Sequence, residues 1–280
     1  MTQENKQQCP YHHKYTQLKV SEEYFIAQYQ LLNELTEIIK KNGRLKRLFE
    51  LNLLLPSLIS NSESIINLIN SNFIPEAYII SRSFFEKCVN FCYLNICDDK
   101  EYEDYIDWFY QKNMRSIYTR QKAFKSIGHE GKLPNISEMT KKIKVLKKFS
   151  GKKGGEKPNW TDISIYQRIK FVESKISSFP APMYFTTMNT IYEDASENLH
   201  GTLYGATFHM ASLYGANMTD EETQKHIIGL ATNLYFFLGY LIGGIFIVVT
   251  TRISIDELMN KSRDNFEKFN EKMSKVKLNK

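Results

Sequence analysis

The sequence predicts an all-α protein, a helical bundle of about seven or eight helices around a central apolar helix. Apolar residues recur every three to four positions along most of the chain. Only 13 Gly and 7 Pro occur in 280 residues. The run from Ile227 to Thr251 carries no charged residue, and a helix that is apolar on every side needs other helices to cover it.

Each helix is placed by its 3.6-residue apolar period and by residues that start or stop helices. Asp98 and Thr219 are typical N-caps. Pro75 suits a first turn, Pro56 indicates a bend, and Gly201 suits a C-terminal cap. The eight longer predicted helices span residues 22–41, 44–70, 75–96, 100–126, 161–177, 181–200, 219–251 and 254–275, and two short helices are predicted at 137–149 and 206–213.

The predicted domain organisation is simple. Residues 1–20 are predicted as a flexible N-terminal segment, and residues 21–280 as a single helical domain with a basic loop at 128–158. The first residues are polar and lack the apolar core of a signal peptide, and the four cysteines do not resemble a secreted disulfide framework. We therefore expect a cytoplasmic protein.

The net positive charge of the chain is small and is concentrated in the basic loop at 128–158. The chain holds 37 Lys and Arg against 31 Asp and Glu, a net charge of +6. The loop is either a solvated surface or a contact for nucleic-acid phosphates. Its candidate nucleic-acid-binding residues are Lys141, Lys142, Lys144, Lys147, Lys148, Lys152, Lys153 and Lys157.

The uncharged run from Ile227 to Thr251 has a second interpretation. Its length would span a bilayer, and Gly239 and Gly243 form a GxxxG pair, which suits close helix packing in membranes. Arg252 and the lysines behind it would then place the C-terminus inside. The alternative to a cytoplasmic location is therefore the inner membrane.

Two stripes of polar residues lie on otherwise apolar helices. Arg82, Glu86 and Asn90 recur every four residues, and so do Tyr192, Ser196 and His200. Residues at this spacing share one helix face. Both stripes therefore suit a polar site between two helices.

These residue types suit phosphoryl or ester chemistry. His200 is the candidate general acid or base, and Arg82 would hold a phosphate or an oxyanion. Glu86 would orient Arg82, while Tyr192 and Ser196 would hydrogen-bond the ligand. The alternative is a buried hydrogen-bond network that only fixes helix register.

The same residues carry a family resemblance. Arg82-Ser83-Phe84-Phe85-Glu86, followed by Tyr-x-x-x-Ser-x-x-x-His-Gly at 192–201, resembles the bacterial helical family catalogued as domain of unknown function 5677, over about 31–249. That family is similar in general character to HEPN domains, helical bundles that are often RNases of toxin and antiphage systems. HEPN nucleases have an Arg four to six residues before a His on one helix. No Arg here precedes a His at that spacing, so an RNase site would take Arg82 from another helix.

The resemblance implies an antiphage-defence or toxin-like effector that acts on RNA or a nucleotide. A ribonuclease or a phosphodiesterase-type hydrolase is the enzyme class that these residues would suit. The alternatives are a non-enzymatic helical interaction module and a membrane-anchored effector. Candidate partners are RNA or a nucleotide, a defence-system protein and a second copy of the chain. No cofactor or metal is expected, because Cys9, His12 and His13 lack a matching second pair of ligands.

Overall fold

The computed structural model confirms the all-α fold class, because the described residues contain helices and no strand beyond an isolated bridge between Ser150 and Glu156. The structure describes residues 15–42, 45–128, 148–151, 156–157, 159–202, 205 and 219–278. The helices are α1 (Thr16–Lys41), α2 (Lys46–Leu51), α3 (Leu54–Asn70), α4 (Ile74–Ile96), α5 (Asp99–Ser126), α6 (Ile165–Lys175), α7 (Ala181–Thr187), α8 (Glu193–Leu199), α9 (Asp220–Thr250) and α10 (Asp256–Leu278). A π-helical segment, Met188–Tyr192, joins α7 to α8.

The chain forms two compact units. The first unit comprises Met1–Ile96 and Ile165–Lys280, and it holds every helix except α5. The second unit, Cys97–Ser164, is built on α5. In the second unit the ring of Tyr105 meets that of Trp160 edge-on at 5.4 Å, and Lys112 pairs with Glu156 at 2.7 Å.

Helix α9 is the central apolar helix of the first unit, as predicted. It packs against α1, α4, α7 and α10, and Leu238, Leu241 and Phe246 are completely buried. By length and composition α9 is also the one described helix that could cross a membrane, and 61% of its most apolar 18-residue stretch is buried inside the protein. Gly239 lies against the ring of Tyr24, so this glycine serves packing between α9 and α1.

The predicted helix caps are confirmed at three positions. Thr219 and Glu222 form a reciprocal capping box at the start of α9. The Asp98 side chain accepts a hydrogen bond from the Glu101 N–H at 2.8 Å at the start of α5. Gly201 follows α8 with a φ of +65°, a left-handed conformation that favours glycine.

Some helix bounds differ from the prediction. Helix α1 begins at Thr16 rather than at residue 22. The predicted helix 44–70 is divided into α2 and α3 at Asn52 and Leu53. Pro56 therefore lies in the first turn of α3, where its missing N–H leaves no intrahelical bond unmade.

Several predicted features lie outside the described residues. They are residues 1–14 of the N-terminal segment, including Cys9, His12 and His13, the short helix at 206–213, and most of the basic loop at 128–158. Of the loop lysines, Lys141, Lys142, Lys144, Lys147, Lys152 and Lys153 are outside, and Lys148 and Lys157 are described.

Candidate functional site

The polar stripe of α4 begins with an ion pair. Arg82 Nε lies 3.3 Å from Glu86 Oε1, one helical turn away. Phe84 and Phe85, between them in sequence, are completely buried in the core and fix the orientation of this face. The Arg82 and Glu86 side chains keep 22% and 41% of their surface exposed. The pair is therefore reachable by solvent from one side.

Tyr192 completes a three-residue cluster with this pair. Its hydroxyl donates to Glu86 Oε1 at 3.1 Å and accepts from Arg82 Nη2 at 3.5 Å. The Arg82 guanidinium also lies over the Tyr192 ring, 4.9 Å from its centre. The ring of Phe85 lies 5.5 Å from that of Tyr192. The two predicted stripes thus meet at Arg82, Glu86 and Tyr192.

Tyr192 is positioned by the π-helical segment. The Glu193 N–H bonds back to the Met188 carbonyl, five residues earlier, so the turn is wider than in an α-helix. The hydroxyls of Thr187 and Thr190 donate to carbonyls four residues earlier, at 2.7 and 2.8 Å, and such bonds bend helices. A π-helical turn inside a helix frequently marks a functional site.

The electrostatics of the cluster favour a neutral Tyr192 hydroxyl. Burial raises the pKa of Tyr192, and the Glu86 carboxylate raises it further, while Arg82 opposes both. The phenol therefore stays protonated at neutral pH and can donate a hydrogen bond. Arg82 Nη1 is buried and has no hydrogen-bond partner among the residues described.

The third residue of the α4 stripe has a partner that the sequence did not indicate. Arg168 Nη1 of α6 donates to Asn90 Oδ1 at 2.6 Å. The Phe171 ring on the same helix meets Tyr93 of α4 edge-on at 5.2 Å. Arg168 belongs to no polar stripe, and only the packing of α6 on α4 reveals it.

Ser196 and His200 do not join the cluster. The Ser196 hydroxyl donates to the Tyr192 carbonyl of its own helix at 2.6 Å. His200 is exposed and caps the C-terminus of α8, where its N–H bonds to the Ser196 carbonyl at 3.0 Å. Eight residues at about 1.5 Å each place His200 about 12 Å along the helix from Tyr192.

The two described loop lysines belong to the second unit. Lys148 donates to Asp104 and Asp107 of α5 at 2.6 and 2.9 Å, so nearby carboxylates already balance its charge. Lys157 is exposed, and its N–H bonds to the Phe149 carbonyl at 2.9 Å. Within the described ranges, no group of three His, Cys, Asp or Glu side chains is placed to hold a metal ion.

Comparison with known proteins identifies the family. The model of DUF5677, described as a family of unknown function, matches residues 49–215, which is more than half of the chain. The chain belongs to the DUF5677 family. The match contains the whole candidate site, from Arg82 to His200, and it is narrower than the predicted range of 31–249. No curated protein and no solved structure matches the chain. The likeness of DUF5677 to HEPN domains stays a prediction.

Proposed function

We propose that this protein is an antiphage-defence or toxin-like effector that acts on RNA or a nucleotide through the Arg82–Glu86–Tyr192 cluster. The observation that carries the proposal is the contact of Arg82 with Tyr192 across two helices, next to a π-helical turn. Glu86 and Tyr192 hold the guanidinium in place before a ligand arrives. A guanidinium oriented in this way suits phosphate oxygens.

The unpartnered Nη1 supports a ligand role for Arg82. A buried donor without a partner costs about 1–3 kcal/mol, and Nη1 of Arg82 has none among the described residues. Nη1 itself is buried, so a phosphate would contact the exposed part of the Arg82 side chain, and Nη1 would gain a partner only if the groups that cover it moved. The protonated Tyr192 hydroxyl offers a second donor when it turns from Glu86 to the ligand.

The distance to His200 favours RNA over a free nucleotide. His200 lies about 12 Å along the helix from Tyr192, so one phosphate does not contact both Arg82 and His200. A strand laid along α8 would contact both. His200 would then act as the general acid or base at one phosphodiester, while Arg82 holds a neighbouring phosphate. Ser196, half-buried and bonded to its own helix, would serve this site only by turning to the ligand.

The test measures RNA binding and RNA cleavage separately. Purified wild type, Arg82→Gln and His200→Ala are mixed with a fluorescent single-stranded RNA, and anisotropy and gel cleavage are recorded. We expect Arg82→Gln to weaken binding about tenfold. We expect His200→Ala to bind normally and to cleave about 100-fold more slowly.

The matched control is Arg120→Gln, which removes the same charge from an exposed position on α5. It should bind and cleave like the wild type. If Arg82→Gln and Arg120→Gln bind RNA equally well, Arg82 does not contact RNA and the proposed site is contradicted. Toxicity is compared in the same way, by inducing expression of the wild type and of each variant in cells and recording growth.

A non-enzymatic interaction module is the second candidate, and an exposed apolar stripe favours it. Leu45, Phe49 and Leu53 recur every four residues around α2 and are 36%, 49% and 73% exposed. Such a stripe suits a partner protein or a second copy of the chain. The test is sedimentation of wild type against Phe49→Ser/Leu53→Ser. A dimer that the double variant loses supports self-association, and a wild-type monomer excludes it.

We propose a cytoplasmic location, with the inner membrane and an inward C-terminus as the alternative. The packing of α9 against four helices supports the first, and its length and apolar composition allow the second. Fractionation of cells distinguishes them. Recovery in the soluble pool without detergent supports the cytoplasm, and recovery only with detergent supports the membrane.

A further inference from the structure

A groove of about 480 Å³ lies in the first unit between α1, α9, α10 and the segment before α7. Its volume is within the range of small-molecule sites. Ten of the twelve lining residues lie outside the 49–215 family match. The groove is therefore a feature of this chain beyond the family segment, and it is separate from the Arg82 cluster.

The wall formed by α9 is a stripe of three half-exposed residues and one exposed residue at its end. Tyr240, Gly243, Ile247 and Thr250 follow one another at three- and four-residue intervals and line the groove. A Cβ added at Gly243 would meet no atom within 4 Å, so the groove is open at its middle. Ten residues of helix make it about 15 Å long.

The opposite walls are mostly apolar. Phe266 of α10 meets Tyr240 at 5.2 Å and Tyr24 at 6.1 Å, measured between ring centres. Gln28 and Ser262 bind each other through two hydrogen bonds of 2.9 Å. Their polar groups are thus already satisfied and make little demand on a ligand. A long groove of this kind suits an extended hydrocarbon chain.

Arg263 is the one charged residue among those lining the groove. Its side chain is exposed, and within the described part of the chain no ion pair or hydrogen bond engages it. A guanidinium free at the edge of an apolar groove is suited to a carboxylate. The groove therefore combines an apolar channel with one anion-binding group.

We propose that this groove binds a medium-chain fatty acid, with the acyl chain along α9 and the carboxylate on Arg263. The aromatic rings of Tyr24, Tyr240 and Phe266 surround one end of the chain. Glycine at position 243 leaves the middle of the channel open, whereas a bulky side chain there would fill it. The proposal does not depend on RNA binding at Arg82.

The test uses dodecanoate and its uncharged analogue dodecan-1-ol, both below the concentrations at which they aggregate, in calorimetric titrations of the full-length protein. Wild type should bind dodecanoate saturably at one site. Gly243→Leu should bind both compounds at least tenfold more weakly, because the leucine side chain occupies the channel. Arg263→Gln should weaken the binding of dodecanoate about tenfold and leave the binding of dodecan-1-ol unchanged, because only dodecanoate carries the charge that the guanidinium recognises.

The matched control is Gly229→Leu, the same change on the same helix, where an added Cβ also meets nothing within 4 Å. It lies outside the groove and should bind like the wild type. Thr250→Trp, an exposed position at the groove end, replaces Gly243→Leu if that variant does not fold. Absence of saturable binding by wild type, or equal binding by the groove variants and Gly229→Leu, overturns the proposal.

Discussion

At the scale of single residues, Tyr192 carries the contact between the two polar stripes. Its hydroxyl is shared between Glu86 and Arg82, and its ring lies under the guanidinium. A phenylalanine would keep the ring contacts and lose only the hydroxyl. This position therefore separates the hydrogen bonds from the packing.

We expect Tyr192→Phe to lower the free energy of unfolding by about 1 kcal/mol, the usual net value of a hydrogen bond. Urea unfolding followed by circular dichroism measures it. The control is Tyr118→Phe, at a 64% exposed position of α5, which should change stability by less than about 0.5 kcal/mol. Equal effects of the two changes would show that the hydroxyl contributes nothing.

A buried thiol gives the protein a pH dependence that the sequence did not indicate. Burial raises the pKa of Cys92 from 9.0 to about 12, and a contact with the Tyr184 hydroxyl lowers it slightly. A pKa raised in the folded state means that the protonated thiol favours folding. That contribution is complete below pH 9 and is lost as the pH rises from 9 to 12.

We therefore expect the free energy of unfolding to fall with pH in this window, and to fall less steeply in Cys92→Ala. The difference in slope should be about 1 kcal/mol per pH unit. Urea unfolding at several pH values between 8 and 11 measures both slopes. A cavity left by Cys92→Ala lowers stability equally at every pH, so parallel curves would contradict the prediction.

At the scale of elements, the glycines of α9 have different surroundings. A Cβ at Gly239 would lie 2.7 Å from the Tyr24 ring, and one at Gly244 would lie 2.6 Å from the Tyr184 hydroxyl. That hydroxyl donates to the Leu241 carbonyl at 2.7 Å. Gly243 has nothing within 4 Å. The GxxxG pair of the sequence thus contains one packing glycine and one that faces the groove.

We expect alanine to act in opposite directions at these positions. Gly243→Ala should raise the free energy of unfolding by about 0.5–1 kcal/mol, because alanine is the better helix former. Gly239→Ala and Gly244→Ala should lower it by about 1–3 kcal/mol through overpacking. Thermal unfolding of the three variants is the measurement. A loss of stability in Gly243→Ala would mean that the groove is closed in solution.

The π-helical segment is the element that sequence patterns describe least well. Its residues keep helical dihedral angles at both ends, so the apolar period before and after it predicts one continuous helix. The extra residue in the turn changes which side chains share a face beyond it. Tyr192 is the last residue of the segment and meets Arg82, while Ser196 and His200 lie further along α8 and do not reach the cluster.

At the scale of the whole molecule, the fold class, the central helix and the helix caps at Asp98, Thr219 and Gly201 were predictable, because they depend on local patterns. The meeting of Arg82, Glu86 and Tyr192 was predictable from two stripes on apolar helices. Arg168 was not, because its contact with α4 depends on how distant segments pack. The groove was also missed, since its walls come from both ends of the chain.

The orientation of α9 distinguishes a bundle in water from a span in a bilayer. In a bundle the helix has a buried side and a half-exposed side, and Leu241 and Ile247 are examples of each. A lysine buried at position 241 would have no partner and no water. A lysine at position 247 would reach solvent from the groove.

We therefore expect Leu241→Lys to prevent folding, and Ile247→Lys to fold with a loss of about 1 kcal/mol or less. Circular dichroism and urea unfolding of the two proteins, purified under the conditions in which the wild type is folded, with or without mild detergent, measure this difference. In a bilayer, both lysines would be placed in hydrocarbon, and each would cost about 3 kcal/mol on insertion scales. Equal damage from the two changes would thus indicate a membrane span, and tolerance of Ile247→Lys alone would show that α9 is the core of a bundle surrounded by water.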